Sequence, residues 1–186
     1  MIGVSEIVSK VKFLKEELNY ECTFNKVAQP EEIELFQKKY DLLLPADYKD
    51  FLLEVGNGGS FGLRPLDFHH YLTETNDVCL TKEFPLSKPY QGEVEAVALD
   101  DSIYDGQLII EADGCGNYTF LVVNGSEFGH VWWNEIPSND ELIPFTGFDW
   151  DNRIKPNVRK SFSEWYYELL ELNSRQMIER NKLKIS

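Results

Sequence analysis

A chain of 186 residues with 42% hydrophobic, 13% aromatic and 27% charged side chains has ordinary globular composition, so one well-buried domain is expected and wholesale disorder is not. Its 32 acidic and 18 basic residues give a net charge of -14. Such a field repels DNA, RNA and anionic lipid at long range and attracts a basic protein, which argues against a nucleic-acid or membrane partner.

The opening Met1-Ile2-Gly3-Val4-Ser5-Glu6 has no basic leader region, and no apolar run is long enough for secretion or for spanning a bilayer, so a cytoplasmic address is expected. Ile7, Val11, Leu14 and Leu18 recur at helical spacing and predict a helix over 5–18 with Ser5 available as its cap. Pro30 suits a first helical position, and the residues after it predict a second helix over 30–40 with Ile33, Phe36 and Tyr40 on one side. Leu42-Leu43-Leu44 leads into Pro45, which opens a third expected helix carrying Tyr48, Phe51, Leu52 and Val55 on one face and ending at Gly56.

Beyond residue 60 the pattern changes to short β-type runs, at 94–99, 107–112, 118–123 and 129–133. Asp113-Gly114-Cys115-Gly116-Asn117 reads as the glycine-rich loop of one hairpin and Asn124-Gly125 as the turn of the next. The proline-bearing stretches 85–92 and 134–160 read as irregular loops. Ser161 and Glu164 form a capping box ahead of Phe162, Trp165, Tyr166, Leu169 and Leu170, so a closing helix is expected to pack on the sheet, with the tail after Asn173 fraying or extending it. Helices first, strands next and one helix last predict an α+β fold, a twisted and mainly antiparallel sheet packed against N-terminal helices and a C-terminal helix. One domain is expected over 1–186, with its core at about 28–172 and a basic tail at 173–186. In that tail Arg175, Arg180, Lys182 and Lys184 stand against Glu179, and without this +3 the rest of the chain carries -17.

Leu43-Leu44-Pro45-Ala46-Asp47-Tyr48-Lys49-Asp50-Phe51-Leu52, followed by Gly56-Asn57-Gly58-Gly59, resembles the L-P-x-D-Y-x-x-F-L…N-G-G signature of the SUKH superfamily. The likeness extends over about residues 28–172, through the Asp113-Gly114-Cys115-Gly116-Asn117-Tyr118 turn, the Val131-Trp132-Trp133 strand and the final aromatic helix. That superfamily includes bacterial immunity proteins that neutralise polymorphic toxins, often nucleases or deaminases, and fungal regulators of cell-wall glucan synthesis. The resemblance implies a protein-binding role without catalysis. The motif also has a structural reading: Pro45 starts a helix, Tyr48, Phe51 and Leu52 bury one face, and Asn57-Gly58-Gly59 permits a sharp reversal.

Catalytic and metal chemistry finds little support in the residues. Adjacent His69 and His70 would point to opposite faces of a strand and could hardly share an ion. Cys22, Cys79 and Cys115 are odd in number and lack C-x-x-C spacing, so they read as reduced thiols; His130 as a base for Cys115 is opposed by Glu111 and Asp113. Asp100, Asp101 and Asp105 lack the remaining ligands of a calcium loop. Aromatic and acidic residues interleave in Trp132, Trp133 and Glu135 and again in Phe145, Phe148, Asp149, Trp150 and Asp151, a mixture suited to an interface of anchors and charges. Strand alternation turns one of Trp132 and Trp133 outward, and Trp133 is the favoured contact.

The expectation is therefore an immunity protein that binds a cognate, basic toxin domain and needs no cofactor, metal or catalytic residue. Candidate partner-binding residues are Asn57, Gly58, Gly59, Asp101, Asp105, Trp133, Glu135, Asp149 and Asp151. The alternatives are a regulatory scaffold like the cell-wall relatives and an enzyme or small-ligand binder with a pocket lined by His69, His130 or Cys115. The oligomeric state stays open.

Overall fold

Ile7, Val11 and Leu14 lie on one helical stripe, and in the computed structural model of the protein all three are buried on α1, Val4–Glu16. The structure describes residues 2–66, 68, 79–92, 101–152, 154–155 and 157–185, with the backbone alone for Asp101, Trp150, Lys184 and Ile185. The cap of α1 is Gly3 and not Ser5: the Glu6 carboxylate accepts the Gly3 N–H at 3.2 Å, and Ser5 donates to the same carboxylate from inside the helix. Helix α2, Pro30–Lys39, has Pro30 at its first turn and buries Ile33 and Phe36, with Tyr40 buried at its cap. Pro45 sits just outside α3, Ala46–Glu54, as its N-cap, and Tyr48, Phe51 and Leu52 point inward as expected.

The sheet has the order β1-β5-β4-β3-β2, and every neighbouring pair is antiparallel. Its strands are β1 (Tyr90–Gln91), β2 (Gln107–Gly114), β3 (Asn117–Val122), β4 (Val131–Asn134) and β5 (Glu141–Pro144). The β2–β3 loop is tighter than the sequence suggests. Gly114 pairs with Asn117, leaving Cys115 (φ 52°) and Gly116 (φ 85°) as a two-residue turn whose positive φ values match the twist of a hairpin. The next connection is longer than an Asn-Gly turn, because β4 begins at Val131 and the Gly129 N–H still reaches the Val122 carbonyl at 2.8 Å.

Two stretches read as irregular carry strands. Within 134–160 lie β5 and the short helix α4, Ile136–Asn139; within 85–92 lies β1, which pairs Tyr90 with Leu142. The run expected over 94–99 lies outside the described residues.

The closing helix α5, Phe162–Ile185, has its expected capping box: Ser161 N–H donates to Glu164 at 3.0 Å and Glu164 N–H to the Ser161 hydroxyl at 3.4 Å. The tail extends the helix. Helices α1, α3 and α5 cover one sheet face, over Leu108, Leu121, Val131, Trp133, Ile143 and Phe145. A smaller cluster covers the opposite face, where Phe84 packs edge-on against Phe120 at 5.4 Å and Trp132 at 5.0 Å. Arg159 lies 5.6 Å over the Trp132 ring, pairs with the buried Glu127 and donates to the Ser87 carbonyl at 2.9 Å, which ties this cover to the sheet.

Candidate functional site

The Leu-Pro-x-Asp-Tyr block is a seat for the last helix. Asp47 accepts its neighbour's N–H from Tyr48 at 3.0 Å and, with its other oxygen, the Ser163 N–H at 2.9 Å. Ser163 stands in the first turn of α5, whose leading N–H groups have no partner inside the helix, so a carboxylate there supplies both an acceptor and a favourable charge. Tyr48 packs at 4.7 Å and Phe51 at 5.0 Å against Phe162, and Phe51 also meets Tyr166 at 4.9 Å.

Asn57-Gly58-Gly59 is a crossing point of three backbone segments. Asn57 accepts the Leu66 N–H at 2.8 Å, the Gly58 carbonyl accepts the Asn25 N–H at 3.0 Å, and the Gly59 N–H reaches Leu63 at 3.0 Å. Gly58 (φ 85°) and Gly59 (φ 133°) take conformations that side chains resist, and a Cβ on Gly59 would lie 2.5 Å from the Thr23 carbonyl oxygen. The loop shaped this way runs on through Gly62 to Leu63, which bridges to Glu111 on the edge strand β2, while the Arg64 N–H donates to Ile110 at 2.9 Å.

A register shift between Ile109 and Glu111 puts Glu111 opposite Thr119, in the row that continues through Trp133 to Ile143 on the helix-covered face. Asp113 follows two residues later on the same side. The Thr119 hydroxyl stands between them, 3.3 Å from Glu111 and 3.1 Å from Asp113. Burial first, and then the charge of Asp113, push Glu111 up to about 8. Burial also raises Asp113, opposed by hydrogen bonds from Thr119 and Glu111, with Glu135 adding a further upward push. Glu135 comes two residues after Trp133, accepts from Asn139 at 3.0 Å, and brings a third carboxylate to this end of the sheet.

Phe148 is half-buried against Trp133 at 6.1 Å and Phe145 at 5.0 Å, and the exposed Asp149 and Asp151 follow it. Asp149 is loosely tied, with Lys155 at 3.8 Å. Of the expected contact residues, then, the structure brings Glu135 to the acidic end and sets the Asn57–Gly59 loop against its edge, while Asp149 and Asp151 follow Phe148 in a segment that leaves β5 beside Val131. Asp105 stands at the other end of β2, 7% exposed and 3.7 Å from Lys82, with Asp101 close to it in the chain.

The expectation that one of Trp132 and Trp133 faces outward is corrected. Both sheet faces are covered, Trp132 is 0% and Trp133 4% exposed, and neither offers a partner a free surface. Glu111, Asp113 and Thr119 were not among the expected contacts, since the bulge that aligns them leaves no mark in the residue pattern. Leu43 (70% exposed) and Phe128 (44%) were also missed. They line a shallow groove of about 500 Å³ at the opposite end of the sheet, with Lys38 and Asp41 at its rim.

Cys115 and His130 lie at opposite ends of β3, a strand of six residues spanning roughly 20 Å, so they do not form a nucleophile and base. His130 instead contacts Glu127 at 3.2 Å. All three cysteines are free thiols. Among the described residues no group of three His, Cys, Asp or Glu is placed to hold a metal ion, and His69 and His70 lie outside them. No helix among the described residues is long and apolar enough to cross a membrane.

No curated protein and no solved structure matches the chain. The model of the SMI1 / KNR4 family (SUKH-1) matches residues 28–168, from just before α2 into α5, and so takes in the helix seat, the three-segment crossing and the acid-bearing sheet. Membership supports a protein that binds other proteins without catalysing a reaction, and the chain belongs to the SMI1 / KNR4 family (SUKH-1).

Proposed function

We propose that the protein is an immunity protein that binds a cognate, basic toxin domain of the nuclease or deaminase class and blocks its active site or substrate groove. The observation that carries this reading is the grouping of Glu111, Asp113 and Glu135 at one end of the sheet, on a body of charge -17 that also exposes Asp149 and Asp151 next to the half-buried Phe148. A negative surface of this kind stands in for nucleic acid, speeds encounter with a basic partner and sets orientation, while desolvated apolar groups such as Phe148 hold the complex. The protein needs no cofactor for this and acts in the compartment where the toxin would otherwise work.

The test is co-expression with the C-terminal domain of a large secreted protein encoded next to it, scored by growth and by co-purification. Growth rescue by the wild type, and its loss with Asp113→Lys, Glu135→Lys and Asp149→Lys combined, is the expected result. Rescue that survives this charge reversal but fails with Leu43→Asp and Phe128→Asp would move the interface to the groove at the other end. Absence of rescue would favour the second reading, a regulatory scaffold like the fungal members, for which the family relationship is the supporting observation.

A further inference from the structure

Leu43, Leu35 and Phe128 are, after Leu183, the most exposed large apolar side chains among the described residues. Leu43 and Phe128 line the groove of about 500 Å³, and Leu35 stands one turn before Lys38 on the same side of α2. Their exposure is built into the backbone. Asp41 takes a positive φ of 46° just after α2, and the flanking Leu42 and Leu44 are both buried, which turns Leu43 outward between them. Phe128 sits in a turn held by its own N–H donating to the Gly125 carbonyl at 3.2 Å and by the Gly129 N–H donating to Val122 at 2.8 Å. An apolar surface fixed in this way loses little freedom on contact, and patches of this kind mark interfaces.

The polar side chains of the groove are committed to the protein's own backbone. Gln37 accepts the Leu44 N–H at 2.9 Å, and Asn124 donates to the Thr81 carbonyl at 2.8 Å. The groove is also shallow, whereas small-molecule sites enclose most of their ligand. Its rim carries one charge of each sign, the exposed Lys38 and Asp41, and among the described residues neither forms an ion pair. A uniformly basic partner is opposed there by Lys38 and a uniformly acidic one by Asp41. A surface with the same balance satisfies both.

We propose that the groove is the contact face of a symmetric dimer and is occupied by a second copy of this chain. About a two-fold axis through the groove each copy presents the same patch, so Leu43 and Phe128 meet their counterparts and Lys38 of each copy faces Asp41 of the other. The apolar side chains hold the contact; the two exposed ion pairs add little affinity and set the register. Elsewhere the acidic body, at -17 without its basic tail, repels a like body, and the balanced rim is where two copies approach. The patch is small beside the roughly 1,600 Å² of a standard stable interface, so the dimer is weak and concentration-dependent. The groove and the acids Glu111, Asp113 and Glu135 lie at opposite ends of the sheet, so the dimer leaves those acids open to a different partner.

This inference goes beyond the immunity reading and does not rest on it, because its test contains no toxin. Sedimentation equilibrium of the full chain is followed from micromolar to millimolar protein, at low and at moderate salt. The wild type is expected to dimerise, and more strongly at moderate salt, where the repulsion between two bodies of charge -14 is screened. Leu43→Asp and Phe128→Asp should each weaken the dimer by about tenfold or more, with urea midpoints confirming that both variants are folded. Lys38→Asp and Asp41→Lys should each dimerise less well alone and recover when mixed in equal amounts, since only the mixed pair restores opposite charges across the axis. A wild type that stays monomeric throughout, or a dimer that none of the four substitutions weakens, would overturn the proposal. So would a monomeric wild type whose growth rescue is lost with Leu43→Asp and Phe128→Asp, since the groove would then belong to the toxin domain.

Discussion

Single residues of the family motif act across long chain separations. Asp47 was legible as part of a signature, yet its partner Ser163 is 116 positions away, and nothing in either local pattern joins them. Asp47→Ala should cost about 1 kcal/mol of stability, the usual value for losing an acceptor at a helix start, and Asp47→Asn should recover part of it, as read from urea unfolding midpoints. Gly59→Ala should cost more, about 2 kcal/mol or above, because it combines an unfavourable φ with a backbone clash. The pH dependence of Glu111 has a definite sign. Below its ordinary value of 4.5 the group is protonated whether the chain is folded or not, so it is neutral to stability; as pH rises toward about 8 the unfolded chain ionises while the folded one holds its proton, and stability falls. Glu111→Gln should therefore unfold at higher urea than the wild type at pH 8, with the advantage shrinking toward pH 4. A constant difference across that range would show that the carboxyl is not held protonated by the fold.

At the level of elements, helices α1, α2 and α3 were legible because their buried faces repeat every three to four residues, and the β2–β3 hairpin because its glycines mark the turn, whereas the short α4 was read as loop. Strand β5 was not, since Leu142, Ile143 and Pro144 are all buried and give no alternation, and the nearby prolines read as loop. Pro144 is tolerated as the last residue of its strand. Alternation at Trp132 and Trp133 was read correctly, but burial was not, because the cover over Trp132 comes from a proline-rich stretch with no periodicity of its own. Trp132→Ala should thus cost about 3–5 kcal/mol, as a core truncation does, and should raise hydrogen exchange selectively in residues 79–91. Removing residues 175–186 is expected to change stability by less than about 1 kcal/mol, since most of that stretch is exposed on α5, and calorimetry of the shortened chain checks this.

For the whole molecule, composition gives a net charge of -14, but the grouping of Glu111, Asp113 and Glu135 depends on a bulge and on three-dimensional neighbours. The family signature holds the fold together: it seats α5 and shapes the loop that borders Glu111, while the proposed contact surface lies in residues that follow the motif. The most direct test of the account is the association rate of the protein with its basic partner domain, measured against ionic strength for the wild type and for the Asp113→Lys, Glu135→Lys, Asp149→Lys variant. The wild-type rate should fall steeply with salt, toward the roughly 10⁵–10⁶ M⁻¹s⁻¹ of unsteered encounters, and the variant should be slow and nearly indifferent to salt. A wild-type rate that does not respond to salt, or a variant that associates as fast as the wild type, would contradict it.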